Sequence, residues 1–517
     1  MFVSIQNRDQ AATGKKNTVE GLTELQIGDL IVKYRPNQLY GFSHSIKNAL
    51  VIGEAIRPPQ TSDMNDLLGL TERPSELLAP LRGGIFSALV IDSETQSVQI
   101  GQSIASCRPC YYRIDESEFL FSSSLRSLLD CGYQLKIDPN VLPEFMVYRY
   151  VAPERTMFEG INRLNGGQLL SFSFAKFSPT GRFSFQFPRD TLTSDQIESA
   201  SSATCEIIGS AISRNTSDHP TSVLLSGGLD SSLIATLAMR GNNQIDSASS
   251  SFSFVESSDG EDNYARTAAS AIGLKHEIFS GSSIGYLTGL VESIAAAEGP
   301  LHHLQSVMLY KLFKDHSGNY GHTFLSGEAA DGLFGNDDHL RVYKHRALIK
   351  LAQLTGLGTP YRTVCDMLGI KSSRFRFFGQ QFGRNTTSRY HLLNSLGRYT
   401  NPALVEKLFA NPLAASRSHR AQLIDDYQSE PLLDRITMMS LLGEAHITMA
   451  TWSKLAESQG YTVYYPFTEP DLISHILSIP WSYKTRESKY VIRKLLRDSS
   501  FPESLITRPK LSFAFPF

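Results

Sequence analysis

The sequence predicts a layered α+β module followed by an α/β module with a parallel sheet and a helical C-terminal part. Three observations carry this. Residues 1–185 are rich in short strand-like stretches separated by turn residues. From about Ser194 the apolar spacing turns helical, and strands and helices then alternate, the pattern of a parallel sheet covered by helices on both faces. Within that second half an apolar strand runs into Ser226-Gly227-Gly228 and straight on into a helix.

The bulk numbers bound the answer. A chain of 517 residues holds two or three domains, and the change of pattern places the division near residue 190, giving 1–190 and 191–517. A formal net charge of −2 provides no global field for nucleic acid or an anionic membrane. No run approaches a membrane span, and the start, Met1 to Arg8, has no apolar core for a signal peptide. The cysteines are Cys107, Cys110, Cys131, Cys205 and Cys365; their odd number and scatter suit free thiols in a reducing cytoplasm. Cys107-x-x-Cys110 lacks the second half of a zinc site.

In the first module the composition predicts strands over 49–52, 85–91, 98–100, 111–114, 119–122 and 168–174, and short helices over 125–129 and 143–150. A polar connector over 185–195 follows. The second module opens with a helix over 197–212. Then come a strand over 221–225, a helix over 231–239, a strand over 247–255, a helix over 262–272 and a strand over 275–279. In such a sheet, ligands bind beyond the carboxyl ends of the strands.

The loop Ser226-Gly-Gly-Leu-Asp230-Ser231-Ser232 sits at such an end. Glycines let the backbone approach an anion closely, and the N–H groups that open the next helix face it. An acid inside a phosphate cradle makes sense when Mg²⁺ lies between carboxylate and pyrophosphate. The full stretch resembles the PP-loop of ATP pyrophosphatases, which cleave ATP between the α- and β-phosphates.

A second apolar strand reaches Ser326-Gly327-Glu328-Ala329-Ala330-Asp331. With a helix starting near Ala329, Glu328 and Asp331 share one face of its first turn. Two acids there suit simple dipole compensation; beside a nucleotide, one suits a metal and the other a proton. Residues 371–400 hold six basic residues and no acid, interleaved with aromatics such as Phe375, Phe377 and Tyr390. That composition fits a solvated insertion better than a surface for RNA or an acidic peptide. In the tail, Arg508 and Lys510 flank a rigid proline, an arrangement for aiming a cation as well as an ordinary basic end.

These pieces, in this order, resemble the asparagine synthetase family, which joins an N-terminal glutamine amidotransferase domain of Ntn type, two stacked sheets, to a PP-loop synthetase domain. Ser226 to Ser232 match its SGGxDSS, Ser326 to Gly335 its SGEGxDExFG, Lys489 to Arg493 its KxxLR, and Arg508 to Phe513 its RPKxGF. The resemblance implies ATP and Mg²⁺ as cofactors. It places Leu225, Ser226, Gly227, Gly228, Ser231, Ser232 and Gly327 around the nucleotide, with Ser253 on its adenosine side. Asp230 and Asp331 would bind Mg²⁺, Glu328 would accept the proton of an incoming amine, and Lys510 would stabilise the charge developing on the adenylate. The implied reaction activates a small-molecule or peptide carboxylate as an acyl-adenylate and passes it to an amine.

The departures matter as much. The family's glutaminase needs Cys directly after the initiator Met; here the second residue is Phe2, and no cysteine lies in the first hundred residues. The fold is expected to persist and glutamine hydrolysis to be lost. Relatives with the same loss, the β-lactam and carbapenam synthetases and the lasso-peptide cyclases, use an amine already on the substrate, the last with precursor-processing partner proteins. The β-lactam enzymes carry Tyr where this chain has Glu328. A macrolactam-forming ligase, a specialised-metabolite ligase, an ammonia-dependent asparagine synthetase and a non-catalytic scaffold all remain open at this stage.

Overall fold

The computed structural model describes residues 1–7, 22–27, 30–35, 41–46, 49–55, 86–93, 96–104, 108–115, 118–152, 154–174, 177, 179–184, 187–216, 220–241, 245–252, 261–281, 283–316, 322–356, 364, 405, 407–409 and 431–508. Ser253, Cys107, Cys365, the basic aromatic stretch 371–400 and Lys510 lie outside them.

Twelve strands of the first part form two antiparallel sheets. They are β1 (Phe2–Asn7), β2 (Thr23–Ile27), β3 (Leu30–Arg35), β4 (Gly41–Ile46), β5 (Ala49–Ala55), β6 (Phe86–Asp92), β7 (Ser97–Gln102), β8 (Tyr111–Ile114), β9 (Glu118–Ser122), β10 (Asn162–Arg163), β11 (Gln168–Ser173) and β12 (Pro179–Ser184). One sheet runs β10-β8-β9-β1-β3-β2, the other β12-β11-β7-β6-β5-β4. Val3, Ile5, Val32 and Phe119 of the first pack with Ile52, Leu89 and Phe172 of the second in one core, so the sheets stack face to face. Strand alternation turns Phe2 to the opposite face. There it joins Leu120 and the helix α1 (Leu125–Asp130), whose Leu125 and Leu128 are buried.

The second part holds β13 (Thr221–Leu224), β14 (Ile245–Phe252), β15 (His276–Gly281), β16 (Thr323–Leu325) and β17 (Thr462–Tyr464), all parallel, in the order β15-β14-β13-β16-β17. Its helices include α2 (Ser194–Thr216), α3 (Leu229–Gly241), α4 (Glu261–Ile272), α5 (Ser306–Asp315), α6 (Ala330–Leu333), α7 (Leu432–Ser440), α8 (His446–Glu457), α9 (Pro470–Ser478) and α10 (Tyr490–Asp498). Val223, Leu225, Leu233, Ile234, Phe324 and Val463 share one core. Helix α10 shows why: Val491, Ile492, Leu495 and Leu496 form its buried stripe, while Lys494 and Arg497 stay toward solvent and Arg493 turns to the carbonyls of Ser488 and Ile506. Among the described residues no helix is long and apolar enough to cross a membrane.

The two parts meet through apolar packing, with Ile104 joining the core of the second part, and through polar contacts. The opening turn of α1 rests on Glu298, which accepts from the Leu125 N–H at 2.7 Å and from the Ser124 hydroxyl. Carboxylate charge suits a helix N-terminus. Arg108, 3 % exposed, pairs with Glu457 at 2.9 Å.

Candidate active site at the strand switch point

Strand β13 is the centre of the parallel sheet. The chain leaves it for β14 and β15 on one side, then returns to β16 on the other. Order reverses between β13 and β16, which opens a crevice beyond their carboxyl ends. Both Ser-Gly loops emerge there.

The first loop is held by its own hydroxyls. Ser226 N–H donates to Ser231 Oγ at 3.2 Å, and Gly228 N–H donates to Ser226 Oγ at 3.3 Å. Helix α3 begins at Leu229, two residues earlier than the periodicity predicts, so Asp230 belongs to its first turn. Gly227 adopts φ +68, and a Cβ there would lie 2.4 Å from the backbone carbon of Tyr264 on α4. Only glycine admits both that conformation and that approach. Gly327 of the second loop is as close: a Cβ would sit 2.9 Å from Asp230 C and Ser231 N. The loops therefore touch along their backbones.

The acids converge. Lys489 Nζ lies 2.5 Å from Asp230 Oδ2 and 2.6 Å from Asp331 Oδ1. Burial works against the lysine's charge, but Asp230 and Asp331 together hold its affinity for the proton above the ordinary range. Glu328 sits before α6, not on it; helix α6 starts at Ala330, so the expected shared helical face with Asp331 does not form. The intervening Ala329 takes φ +76, a left-handed conformation uncommon for a residue with a Cβ. That turn carries the Glu328 carboxyl into a half-buried place. Burial first, and the charge of Asp331 next, push it up to about 7. A carboxylate poised near neutrality is what proton abstraction requires.

The residues present fit a polyphosphate and a hard cation. Among the described residues Ser232 Oγ is enclosed with no hydrogen-bond partner. Arg508 stacks on Tyr264 with its guanidinium carbon 4.2 Å from the ring centroid, and its Nη1 is likewise buried without a partner among the described residues. Its Nη2 is 3.9 Å from the place a Gly228 Cβ would occupy, so the cation borders the cradle. Asp230 and Asp331 supply the oxygen donors Mg²⁺ takes.

Of the sequence candidates, the structure brings Ser226, Gly227, Gly228, Asp230, Ser231, Ser232, Gly327, Glu328 and Asp331 into one crevice. The Leu225 side chain is 1 % exposed in the core, so this residue offers a nucleotide its backbone. Lys489 was legible only as part of a tail motif; nothing local signals that it bridges acids 259 and 158 positions away. Arg508, one of the two cations flanking the tail proline, lies beside Gly228.

In the first part, Phe2 is 2 % exposed and packs against Tyr133 with ring centroids 5.8 Å apart. Among the described cysteines, burial raises the Cys110 thiol well above its ordinary value and raises Cys131 too, the reverse of an activated nucleophile.

Comparison with known proteins follows the same division. Residues 206–517 match the asparagine synthase family model, and residues 37–183 match a glutamine amidotransferase domain. A protein of Mycobacterium tuberculosis named as a glutamine-hydrolysing asparagine synthetase is 23% identical over 477 residues, spanning 87% of this chain and 69% of that protein. A glutamine-hydrolysing asparagine synthetase of Bacillus subtilis is 21% identical over 482 residues, 88% of this chain and 71% of its own. An allosteric regulatory enzyme of purine biosynthesis, among solved structures, superposes at 10% identity with TM-score 0.22 over 55% of this chain and 74% of its own, too little to argue from. With the synthase model spanning more than half its length and two Ser-Gly loops meeting at the strand switch point, this chain belongs to the asparagine synthase family.

Proposed function

We propose that the protein is an ATP-dependent, amide-forming ligase that activates a carboxylate as an acyl-adenylate and takes its amine from ammonia or from the substrate, not from glutamine. The observation that carries this is Glu328, held near neutrality beside the acids of a phosphate cradle. In the first step a carboxylate oxygen attacks the α-phosphorus, the bond to pyrophosphate breaks, and the loop hydroxyls with Arg508 hold the departing anion. Mg²⁺ on Asp230 and Asp331 would neutralise charge on the phosphates. In the second step the amine nitrogen attacks the acyl carbon, AMP leaves, and the amine proton passes to Glu328.

The refusal of glutamine is supported by the apolar filling around Phe2 and the raised thiols of Cys110 and Cys131. The test is ATP-dependent pyrophosphate release across a panel of carboxylates, with ammonia, glutamine or no added amine. Release that depends on one carboxylate, without glutamate formation, is the expected result; Asp230→Ala should abolish it. No release with any carboxylate, together with no ATP binding by calorimetry, would leave only a scaffold role.

A further inference from the structure

Beside the crevice, where the charges of Glu444, Glu328 and Asp331 act on one another, two imidazoles and a carboxylate converge. His302 and His303 lie in the segment before α5, and Glu444 lies on a π-helical turn, Leu441–Ala445, between α7 and α8. His302 Nε2 is 3.1 Å from Glu444 Oε1, and His303 Nε2 is 3.5 Å from the same oxygen. The two rings stand 4.0 Å apart at 54°. All three candidate ligand atoms lie within 4.8 Å of one another.

A hydrogen-bonded pair would need one ring. Here two rings aim the same type of nitrogen at one oxygen. Ligands 2.0–2.1 Å from a tetrahedral Zn²⁺ stand about 3.3 Å apart, and the two measured separations bracket that figure. His302 is 2 % exposed and takes Tyr150 of the first part edge-on at 5.1 Å, which fixes its ring plane. The π-turn inserts an extra residue into the helical path where Glu444 sits, an irregularity that recurs at functional sites.

We propose that His302, His303 and Glu444 form a binding site for a borderline divalent transition cation of the Zn²⁺ type, distinct from the Mg²⁺ role of Asp230 and Asp331. Imidazole nitrogens suit Zn²⁺ and Co²⁺, whereas Mg²⁺ demands oxygen donors in an octahedron. Three protein donors leave a fourth position for water or another exogenous donor.

The test uses the full-length, tag-free chain, stripped with a chelator and titrated with Zn²⁺ or Co²⁺ without ATP. Metal content by mass spectrometry, the Co²⁺ electronic spectrum and X-ray absorption at the zinc edge are read. The expected result is one equivalent per chain, a shell containing two imidazoles, and no displacement by excess Mg²⁺. His303→Ala and the conservative Glu444→Gln should each weaken binding at least about tenfold, while Asp230→Ala, which disables the cradle, leaves it unchanged. Retention of under a tenth of an equivalent, a shell without imidazole, or full affinity in both variants overturns the proposal. None of these readouts depends on ligase activity.

Discussion

Replacing Glu328 with Gln should make the protein more stable at alkaline pH and not at acid pH. Glu328 takes up its proton at about 7 in the folded chain instead of the ordinary 4.5, through burial and the neighbouring charge of Asp331. The folded state therefore binds that proton more tightly than the unfolded state. Stability from this group is full below 4.5, falls as pH rises toward 7, and is constant above. At about 1.4 kcal/mol per pH unit the ionised carboxylate costs the fold about 3 kcal/mol at pH 8; solvent reaching the half-buried residue lowers that toward about 2. Gln carries no such charge. Thermal melts of both proteins from pH 4.5 to 8.5 should give equal Tm at the acid end. At the alkaline end the variant should lead by about 4–6 °C, taking about 2 °C per kcal/mol for a unit of this size. Titrating groups remote from Glu328 cancel in the difference; Asp331, Glu444 and Asp230, whose charges act on it, contribute a smaller change of their own. A Tm difference that does not change with pH would refute the argument and, with it, the base assignment. The same variant should still release pyrophosphate yet fail to form amide.

Lys489→Met should leave Asp230 and Asp331 facing each other without their counter-charge, at a cost of about 3 kcal/mol; melts should show the loss shrinking on adding Mg²⁺, which takes over the ammonium's place. Gly227→Ala should cost about 2–4 kcal/mol and abolish ATP binding by calorimetry, because its Cβ meets Tyr264 backbone at 2.4 Å in a left-handed conformation. Glu457→Gln should remove the counter-charge of the buried Arg108, costing about 3 kcal/mol and splitting the calorimetric melt into two transitions as the two parts uncouple.

The cradle was legible because its chemistry is compressed into seven consecutive residues, and the parallel strands because each is bracketed by a helix. The first sheet was harder. Strand β3 carries a clean signal, with Leu30, Val32 and Tyr34 buried in alternation, yet β1 does not: Phe2, Val3 and Ile5 are apolar on both faces because one face meets α1 and the other the second sheet. Strand β12, with Pro179, Gly181 and Arg182, has the composition of a turn and survives as a sheet edge, where a missing N–H is tolerated. At the site, the residues that sequence could not place are those defined by long-range pairing. Lys489 has no local pattern that names its partners, and the helix start at Ala330 depends on the strained Ala329, which propensity does not foresee.

The ammonium of Lys489 has a consequence for how the protein is made. Asp230, Asp331 and Lys489 come from the early, middle and late stretches of the second part, with 259 residues between the first and the last. A nascent chain that has reached Asp331 exposes two carboxylates that repel each other, and the loop closure that gathers them is among the longest in the molecule. The acid–lysine cluster of the cradle assembles only once synthesis has passed residue 489, and the bordering Arg508 follows later still. One lysine made late thus joins carboxylates made 259 and 158 residues before it.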